Sequence, residues 1–419
     1  MSVLLLIGLI VLLLFLRQNL IVILFVVGGY IHLVYGDGKL VYIVQDMWTG
    51  ADKEVLLSIP LFILAGNIMT RGSIAERLIR IVAAFTAPLP GGMAAATILS
   101  CAVFAAISGS STVTLLAVGA IMYPALTRAG YSKRYAMGAV CAGGTLGIII
   151  PPSIPMILYG ISTEASITDL FVAGIVPGLI LTAVFTIHSL IVNRHLPRRR
   201  WDRREILQAV KSGGPAAMLP VIILGGIYSG HYTATEAAAV GLAYALLVEI
   251  FIHRELKLRD FYTVALETTK LLGSLFPILA IALSLNLLLA EQRVPQELVA
   301  WMTTLTTSKL AFLIGVNILL LIVGCFMDSN SAILIVAPLI WPIAEAFGID
   351  KVHFGIIMTV NLEIGFLTPP VGLNLIVAMS AFRENFGFIC RSVLPFIAMM
   401  LAVLALISWV PELSLMLVR

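Results

Sequence analysis

Charge is scarce in this chain. Of 419 residues only 11% are Asp, Glu, Lys or Arg, while 60% are hydrophobic. A soluble domain carries roughly 25% charged residues, so an ordinary soluble protein is excluded and a polytopic helical membrane protein is expected. The short alternating segments of a β-barrel are missing too, because the apolar runs are long and rich in Leu, Ile and Ala. Cysteine is limited to Cys101, Cys141, Cys325 and Cys390. Each lies in an apolar run without metal-ligand spacing and reads as a small core residue. No Gly-x-x-x-x-Gly-Lys-Ser/Thr occurs, so the chain is not its own ATPase. No His-Glu-x-x-His occurs and the six histidines are scattered, which leaves an intramembrane enzyme without support. The net charge of +4 sits in short loops. Membrane topology explains it, and nucleic acid is not expected as a partner.

What is present is a series of apolar spans, each needing about 20 residues. They are expected near 2–16, 19–35, 55–70, 169–192, 214–229, 235–252, from 261 to about 290, and near 391–410. Residues 1–16 lack a basic start and a small-residue cleavage site, so a first helix is expected there and not a signal peptide. Arg17 separates the first two spans. A polar loop is expected from Gly36 to Glu54, with Asp37, Asp46, Asp52 and Glu54 against Lys39 and Lys53. Thr233 to Glu236 reads as a helix start with an acid in its first turn. The most basic run, Arg194 to Arg200, belongs in the cytoplasm. Counting outward, the loops at Arg17, 71–80, 128–134 and 253–260 fall inside, those at 36–54, 163–169, 291–297 and 345–351 fall outside, and both termini lie outside.

Two stretches break this pattern. Asn361 to Asn374 (Asn-Leu-Glu-Ile-Gly-Phe-Leu-Thr-Pro-Pro-Val-Gly-Leu-Asn) lies between apolar runs yet holds two prolines, two glycines and a Glu. Pro369 and Pro370 remove two backbone donors and break a helix. In a bilayer such backbone is tolerated only when buried in protein or lining a watery cavity. Gly143 to Ser153 has the same build. An offset of 218 residues pairs Pro124 with Pro342, Gly130 with Gly348, Lys133 with Lys351, Gly147 with Gly365, and Pro151-Pro152 with Pro369-Pro370. The same offset sets Ser110-Ser111-Thr112 against Asp328-Ser329-Asn330. Each of these tips joins two short apolar pieces, 93–107 to 112–126 and 309–326 to 332–346, as a candidate re-entrant hairpin. The Lys133 loop is basic and the Lys351 loop has Glu345 and Asp350 beside it, so the copies are expected to be inverted. Inverted repeats with broken helices mark secondary transporters, with the site near the midplane.

Each copy offers hydroxyls, amides and free carbonyls, hard oxygens that suit a small cation such as sodium, while exposed helix N-termini suit a substrate carboxylate. One cation site per copy is expected, hence at least two sodium ions. The first would use Ser110, Ser111, Gly147 and Pro151, and the second Asp328, Asn330, Gly365, Thr368 and Gly372. Asp328 stands out, because an intramembrane carboxylate is costly and functional by default. It is expected to be the nearest functional neighbour of the 361–374 stretch. Glu363 leaves three roles open: part of the second site, a titrating coupling carboxylate, or a structural hydrogen bond. Ser153, Asn361, Asn374 and Asn67 are candidate substrate contacts, with helix-bridging as the plain alternative for the three asparagines.

At these residues the chain resembles a known family. Leu57-Ser58-Ile59-Pro60-Leu61-Phe62-Ile63-Leu64-Ala65-Gly66-Asn67, Gly109-Ser110-Ser111, Gly147 to Ser153, Thr235-Glu236-Ala237-Ala238-Ala239 and Gly365 to Gly372 resemble the large membrane subunit of the tripartite ATP-independent periplasmic (TRAP) transporters, the DctM-like family. The resemblance implies an all-α fold with inverted repeats, two re-entrant hairpins and elevator-type motion. It implies sodium-coupled import of an organic acid such as a dicarboxylate, at the bacterial inner membrane. The implied partners are a periplasmic binding protein, a separate small four-helix membrane subunit and membrane lipid. The expected organisation is scaffold helices and a first arm (1–89), a first transport repeat (90–165), scaffold (166–290), a second arm (291–307), a second transport repeat (308–390) and a C-terminal helix (391–419). Two rivals remain at this stage: a self-sufficient proton- or sodium-coupled carboxylate carrier, and a channel or non-transporting scaffold. A channel would need polar residues continuing along one stripe, whereas polarity here clusters at the breaks.

Overall fold

The structure, a computed structural model, describes residues 2–16, 18–36, 38–196 and 200–418. Arg17 and Asp37, and Pro197, Arg198 and Arg199 of the basic run, lie outside the described residues, as do Met1 and Arg419. In chain order the helices are α1 (Ser2–Phe15), α2 (Leu20–Tyr35), α3 (Val41–Ala51), α4 (Ser58–Arg71), α5 (Ile74–Thr86), α6 (Gly92–Ser108), α7 (Ser111–Arg128), α8 (Lys133–Ile149), α9 (Ile154–Thr163) and α10 (Ile167–Val192). They continue as α11 (Arg203–Tyr228), α12 (Ala234–Leu247), α13 (Leu258–Glu291), α14 (Val294–Leu305), α15 (Lys309–Phe326), α16 (Ser329–Ala346), α17 (Lys351–Phe366), α18 (Leu373–Phe382), α19 (Phe386–Trp409) and α20 (Glu412–Leu415). A π turn, Val248–Ile252, extends α12. Among the described residues there is no strand, and nine helical stretches have the length and apolarity to cross a membrane. Helices satisfy their own backbone, the requirement hydrocarbon imposes.

Local chemistry sets the boundaries. Ser110, Ser132, Ser153, Ser166, Ser308, Asp328, Asp350 and Asn385 each accept a backbone N–H as an N-cap, the role for which short polar side chains are preferred. Thr233 and Glu236 form a reciprocal capping box at the start of α12. One stretch departs from expectation: α3 occupies part of the predicted polar loop. Val41, Val44 and Trp48 recur at helical spacing on an exposed face, while Gly50 is buried against Leu283 of α13. Periodicity and packing there override the local polarity.

The repeat extends to whole elements. An offset of 218 carries Ser111–Arg128 onto Ser329–Ala346 and the start of α8 at Lys133 onto the start of α17 at Lys351. Past the breaks the offset becomes 219, carrying Ile154–Thr163 onto Leu373–Phe382. The extra residue lies between the Pro-Pro pair and the following helix. The copies are inverted. α9 packs on α16, and Tyr159 donates to the Lys351 carbonyl at 2.9 Å, so α9 runs toward the start of α17. α18 packs on α7 and leads to Glu384, which accepts from the Tyr123 hydroxyl at 2.7 Å and lies 3.9 Å from Lys133. The two half-helices therefore leave the centre in opposite directions. α18 points to the end bearing Arg128, Lys133 and Arg134. α8 and α17 pack together at the centre, with α10 and α19 against both. α4 and α11 flank the first repeat, α12 packs on both of them, and α13 carries α2, α3 and α4.

Candidate functional site

The two breaks follow from proline arithmetic. In an α-helix each carbonyl accepts the N–H four residues on. For Gly147 and Ile148 those residues are Pro151 and Pro152, and for Gly365 and Phe366 they are Pro369 and Pro370. Four carbonyls thus lose their regular donors. Both Pro-Pro bonds are cis. The Gly365 carbonyl takes the Thr368 N–H instead, at 2.9 Å. After the first break Ser153 restarts the chain by accepting the Met156 N–H at 3.4 Å. After the second, Gly372 at φ +53 does so without a side chain.

Each hairpin lies against its own break. The Ile154 N–H donates to the Gly109 carbonyl at 3.3 Å, and the Gly372 N–H donates to the Cys325 carbonyl at 3.2 Å. Close approach requires glycine at both. A Cβ on Gly147 would lie 2.5 Å from the Ser110 carbonyl oxygen and 2.6 Å from Thr114 Oγ1. A Cβ on Gly365 would run into the Gly324 backbone.

Both tips and both breaks meet at one cavity of about 70 Å³. Ser110, Ser111, Thr112, Asp328, Ser329 and Asn330 supply its polar lining, and Ile148, Ile154, Phe366 and Leu373 its apolar walls. No Lys, Arg or His lines it among the described residues. Beside it runs a bonded cluster linking the repeats. The Ser111 hydroxyl donates to Glu363 Oε1. Asn374 Nδ2 lies 2.5 Å from Ser111 Oγ and 3.3 Å from Glu363 Oε1, and Thr112 donates to Asn374 Oδ1 at 3.3 Å. Ser111, Glu363 and Asn374 are buried. Glu363 Oε2, Asn330 Oδ1, Ser331 Oγ and Asn361 Oδ1 are among the described side-chain oxygens buried without a partner. Such groups are costly unless something fills their coordination. Among the described residues no three His, Cys, Asp or Glu side chains form a metal-binding group, so the donor set is hydroxyl, amide, carboxylate and carbonyl, which favours hard cations.

Not every candidate residue joins this centre. Asn361 is buried, but its Nδ2 donates to the Asn317 carbonyl at 3.0 Å and Asn317 Oδ1 at 2.6 Å, bridging α17 to α15. Asn67 donates to Thr268 at 3.0 Å, bridging α4 to α13. The bridging alternative describes the contacts of both, and neither lines the cavity. Ser153 is buried as a cap, and the Thr368 hydroxyl back-bonds to the Ile364 carbonyl at 2.7 Å. Asp328 lines the cavity while Oδ2 accepts the Ser331 N–H at 3.0 Å, so it caps α16 as well. One expectation is corrected. The polar side chains of the 361–374 stretch bond to Ser111 and Thr112 of the first hairpin and to Asn317, rather than to Asp328. The repeats interlock because α18 packs on α7 and α9 on α16, a crossing that sequence spacing does not reveal. Thr112 and Ser329 are the polar lining residues that sequence reasoning left out of the site, although both lie inside the tips it singled out, and the apolar walls carried no signal in residue type.

The comparisons with known proteins agree with this geometry. Residues 1–413 match the family described as "Tripartite ATP-independent periplasmic transporter, DctM component". The C4-dicarboxylate TRAP transporter large permease protein DctM of Pseudomonas aeruginosa is 42% identical over 391 residues, covering 93% of this chain and 92% of that protein. The isethionate TRAP transporter permease protein DctMQ of Oleidesulfovibrio alaskensis is 41% identical, covering 88% of this chain and 59% of that protein. The ectoine TRAP transporter large permease protein TeaC of Halomonas elongata is 34% identical, covering 93% and 92%. Among solved structures, the Alcanivorax borkumensis YdaH transporter superposes with a TM-score of 0.62 at 16% identity, covering 90% of this chain and 89% of that one, a likeness of fold alone. Family match, inverted repeats and paired hairpins lead to one assignment: the chain belongs to the DctM-component family of tripartite ATP-independent periplasmic transporters and is a multi-pass large permease, not an enzyme.

Proposed function

We propose that this permease drives sodium-coupled import of a small organic anion across a bacterial inner membrane. A periplasmic binding protein would deliver the solute and a small four-helix subunit would brace the scaffold. The observation that carries this reading is the convergence of both hairpin tips and both helix breaks on one polar cavity. One sodium ion would be held by Ser110, Ser111 and the carbonyls at Gly147 and Pro151. The other would be held by Asp328, Asn330, Thr368 and the carbonyls at Gly365 and Gly372. The unpartnered Asn330 Oδ1 and Glu363 Oε2 support a cation nearby. The relatives are named for a C4-dicarboxylate, isethionate and ectoine, solutes that each carry a carboxylate or sulfonate. With no basic side chain in the lining, the solute's charge would be balanced by co-transported ions and by the helix N-termini.

The energetics suffice. Each charge crossing 100 mV contributes about 2.3 kcal/mol, and a tenfold gradient about 1.4 kcal/mol. Two ions therefore cover a thousandfold accumulation of a monoanion, which needs about 4 kcal/mol, plus the electrical cost of its own charge. Access would alternate by an elevator motion of residues 90–165 and 308–390, with α5 and α14 as arms. The second break and part of α18 are exposed while the first break and α9 are buried, an asymmetry that suits a carrier whose site faces one side at a time.

The test is uptake of succinate, isethionate and ectoine into proteoliposomes containing the small subunit, with binding protein, sodium gradient and proton gradient varied separately. Sodium- and binding-protein-dependent uptake is expected, and Asp328→Ala should abolish the sodium dependence while the protein still inserts. Uptake that follows a proton gradient without sodium or binding protein would overturn the reading in favour of a self-sufficient carrier.

A further inference from the structure

A second buried carboxylate lies outside the lining of the transport cavity. Glu249, fully buried in the π turn after α12, reaches the start of the first arm. The Ser73 and Ile74 N–H groups both donate to its Oε1 at 2.7 Å, and the Ser73 hydroxyl lies 3.4 Å from Oε2. Ser73 makes no capping bond of its own. Glu249 therefore caps α5 from across the fold, and a carboxylate at a helix N-terminus is favoured both by the free N–H groups and by the helix dipole. The π turn, closed by the His253 N–H on the Val248 carbonyl at 2.7 Å, sets His253 beside the same cap. Its Nδ1 lies 3.1 Å from Ser73 Oγ and 3.8 Å from Glu249 Oε2. Arg77 completes the clamp, donating to Ser73 Oγ at 3.0 Å and to the Ser212 carbonyl of α11 at 3.2 Å. The fit is close enough to require Gly72, where a Cβ would run into the Glu249 carboxyl.

The other end of α5 is built differently. It leaves through Pro88, Pro90, Gly91 and Gly92, with Gly91 at φ +68, directly into the first hairpin. At the second arm, Arg293 precedes α14 at φ +56 and makes no capping bond of its own. α5 also packs on α7, which carries α18, so a contiguous path joins the clamp to the half-helix that lies open.

We propose that Glu249 is a positioning residue of the transport cycle, fixing one end of the first arm to the scaffold so that the hairpin α6–α7 moves about the other. The inference rests on the movement proposed above. It is tested on the full chain in lipid nanodiscs by two readouts. Hydrogen exchange over residues 73–79 reports the clamp. Maleimide labelling of a Ser380→Cys reporter on α18, in a Cys390→Ser background, reports the remote half-helix. Glu249→Ala and Gly72→Ala should raise exchange over 73–79 by about tenfold and shift the labelling rate several-fold, leaving exchange in α8 and α17 unchanged. Glu249→Gln should do less, because its amide oxygen still accepts both N–H bonds and only the charge is lost. Unchanged exchange in Glu249→Ala overturns the clamp. Raised exchange with unchanged labelling overturns its link to the moving domain. A failure of sodium-dependent uptake in the unaltered protein would overturn the coupling reading without altering either readout.

Discussion

Ile154 and Leu373 hold equivalent places, each the first residue of the half-helix after a cis Pro-Pro pair. Ile154 is 4% exposed and Leu373 36%. The contrast extends outward. Pro151, Pro152 and all but one residue of α9 are buried, whereas Pro369 and Pro370 are exposed and α18 keeps a bare face. α6 and α7 are flanked by α4, α5 and α10, while α15 shows Ile314, Ile318 and Phe326 to the outside at more than half exposure. Near-identical local chemistry therefore has two environments within one molecule. The freed carbonyls belong to buried residues in both copies, Gly147 and Ile148 in one and Gly365 and Phe366 in the other, so the copies differ only in the prolines and the half-helix that follow. The repeat supplies two interchangeable half-sites, and the packing around them decides which lies open.

Three measurements bear on that contrast, in decreasing order of effect. Cysteine at Leu373 should react with a maleimide about a hundredfold faster than cysteine at Ile154, because the sealed position reacts only through local opening of about 3 kcal/mol. Equal rates would mean that the two halves are in the same state. Gly147→Ala and Gly365→Ala should each destabilise by about 2 kcal/mol through overpacking, read as a lower unfolding temperature of the purified protein. Here the breaks should behave alike despite their different exposure, because both glycines face backbone. A large effect at only one would sharpen the asymmetry into the tips themselves. Ser153→Ala should cost about 1 kcal/mol, the worth of a lost N-cap. The matching position is Gly372, which has no cap to lose, so only the sealed half should show this sensitivity.

The hairpin tips, the Pro-Pro breaks and their pairing could be read from residue types, since proline and glycine impose their geometry locally. The offset of 218 carries α7 onto α16 residue for residue. The partners of Asn374 and Glu363 could not be read. Nothing near them in the chain points to Ser111 and Thr112, and the interlocking of the repeats is a property of packing. Asn361 and Asn67 resemble site residues because buried amides are uncommon in apolar helices, yet packing spends them on Asn317 and Thr268. α3 was hidden because its polar residues outweigh its periodicity in a short segment.

By itself the sequence determined that the chain is a helical membrane protein with two inverted, proline-broken copies and a polar tip in each. Those features depend on composition, on helical period and on backbone groups that proline removes. Only the tertiary structure decided that both tips converge on one cavity, that the first hairpin is bonded to the second broken helix, that one half-helix is sealed while its copy is exposed, and that Glu249 caps α5 at Ile74, 175 residues away. The reason is physical: the first set follows from interactions within a few residues, and the second from contacts between segments whose distance along the chain carries no information about their distance in space.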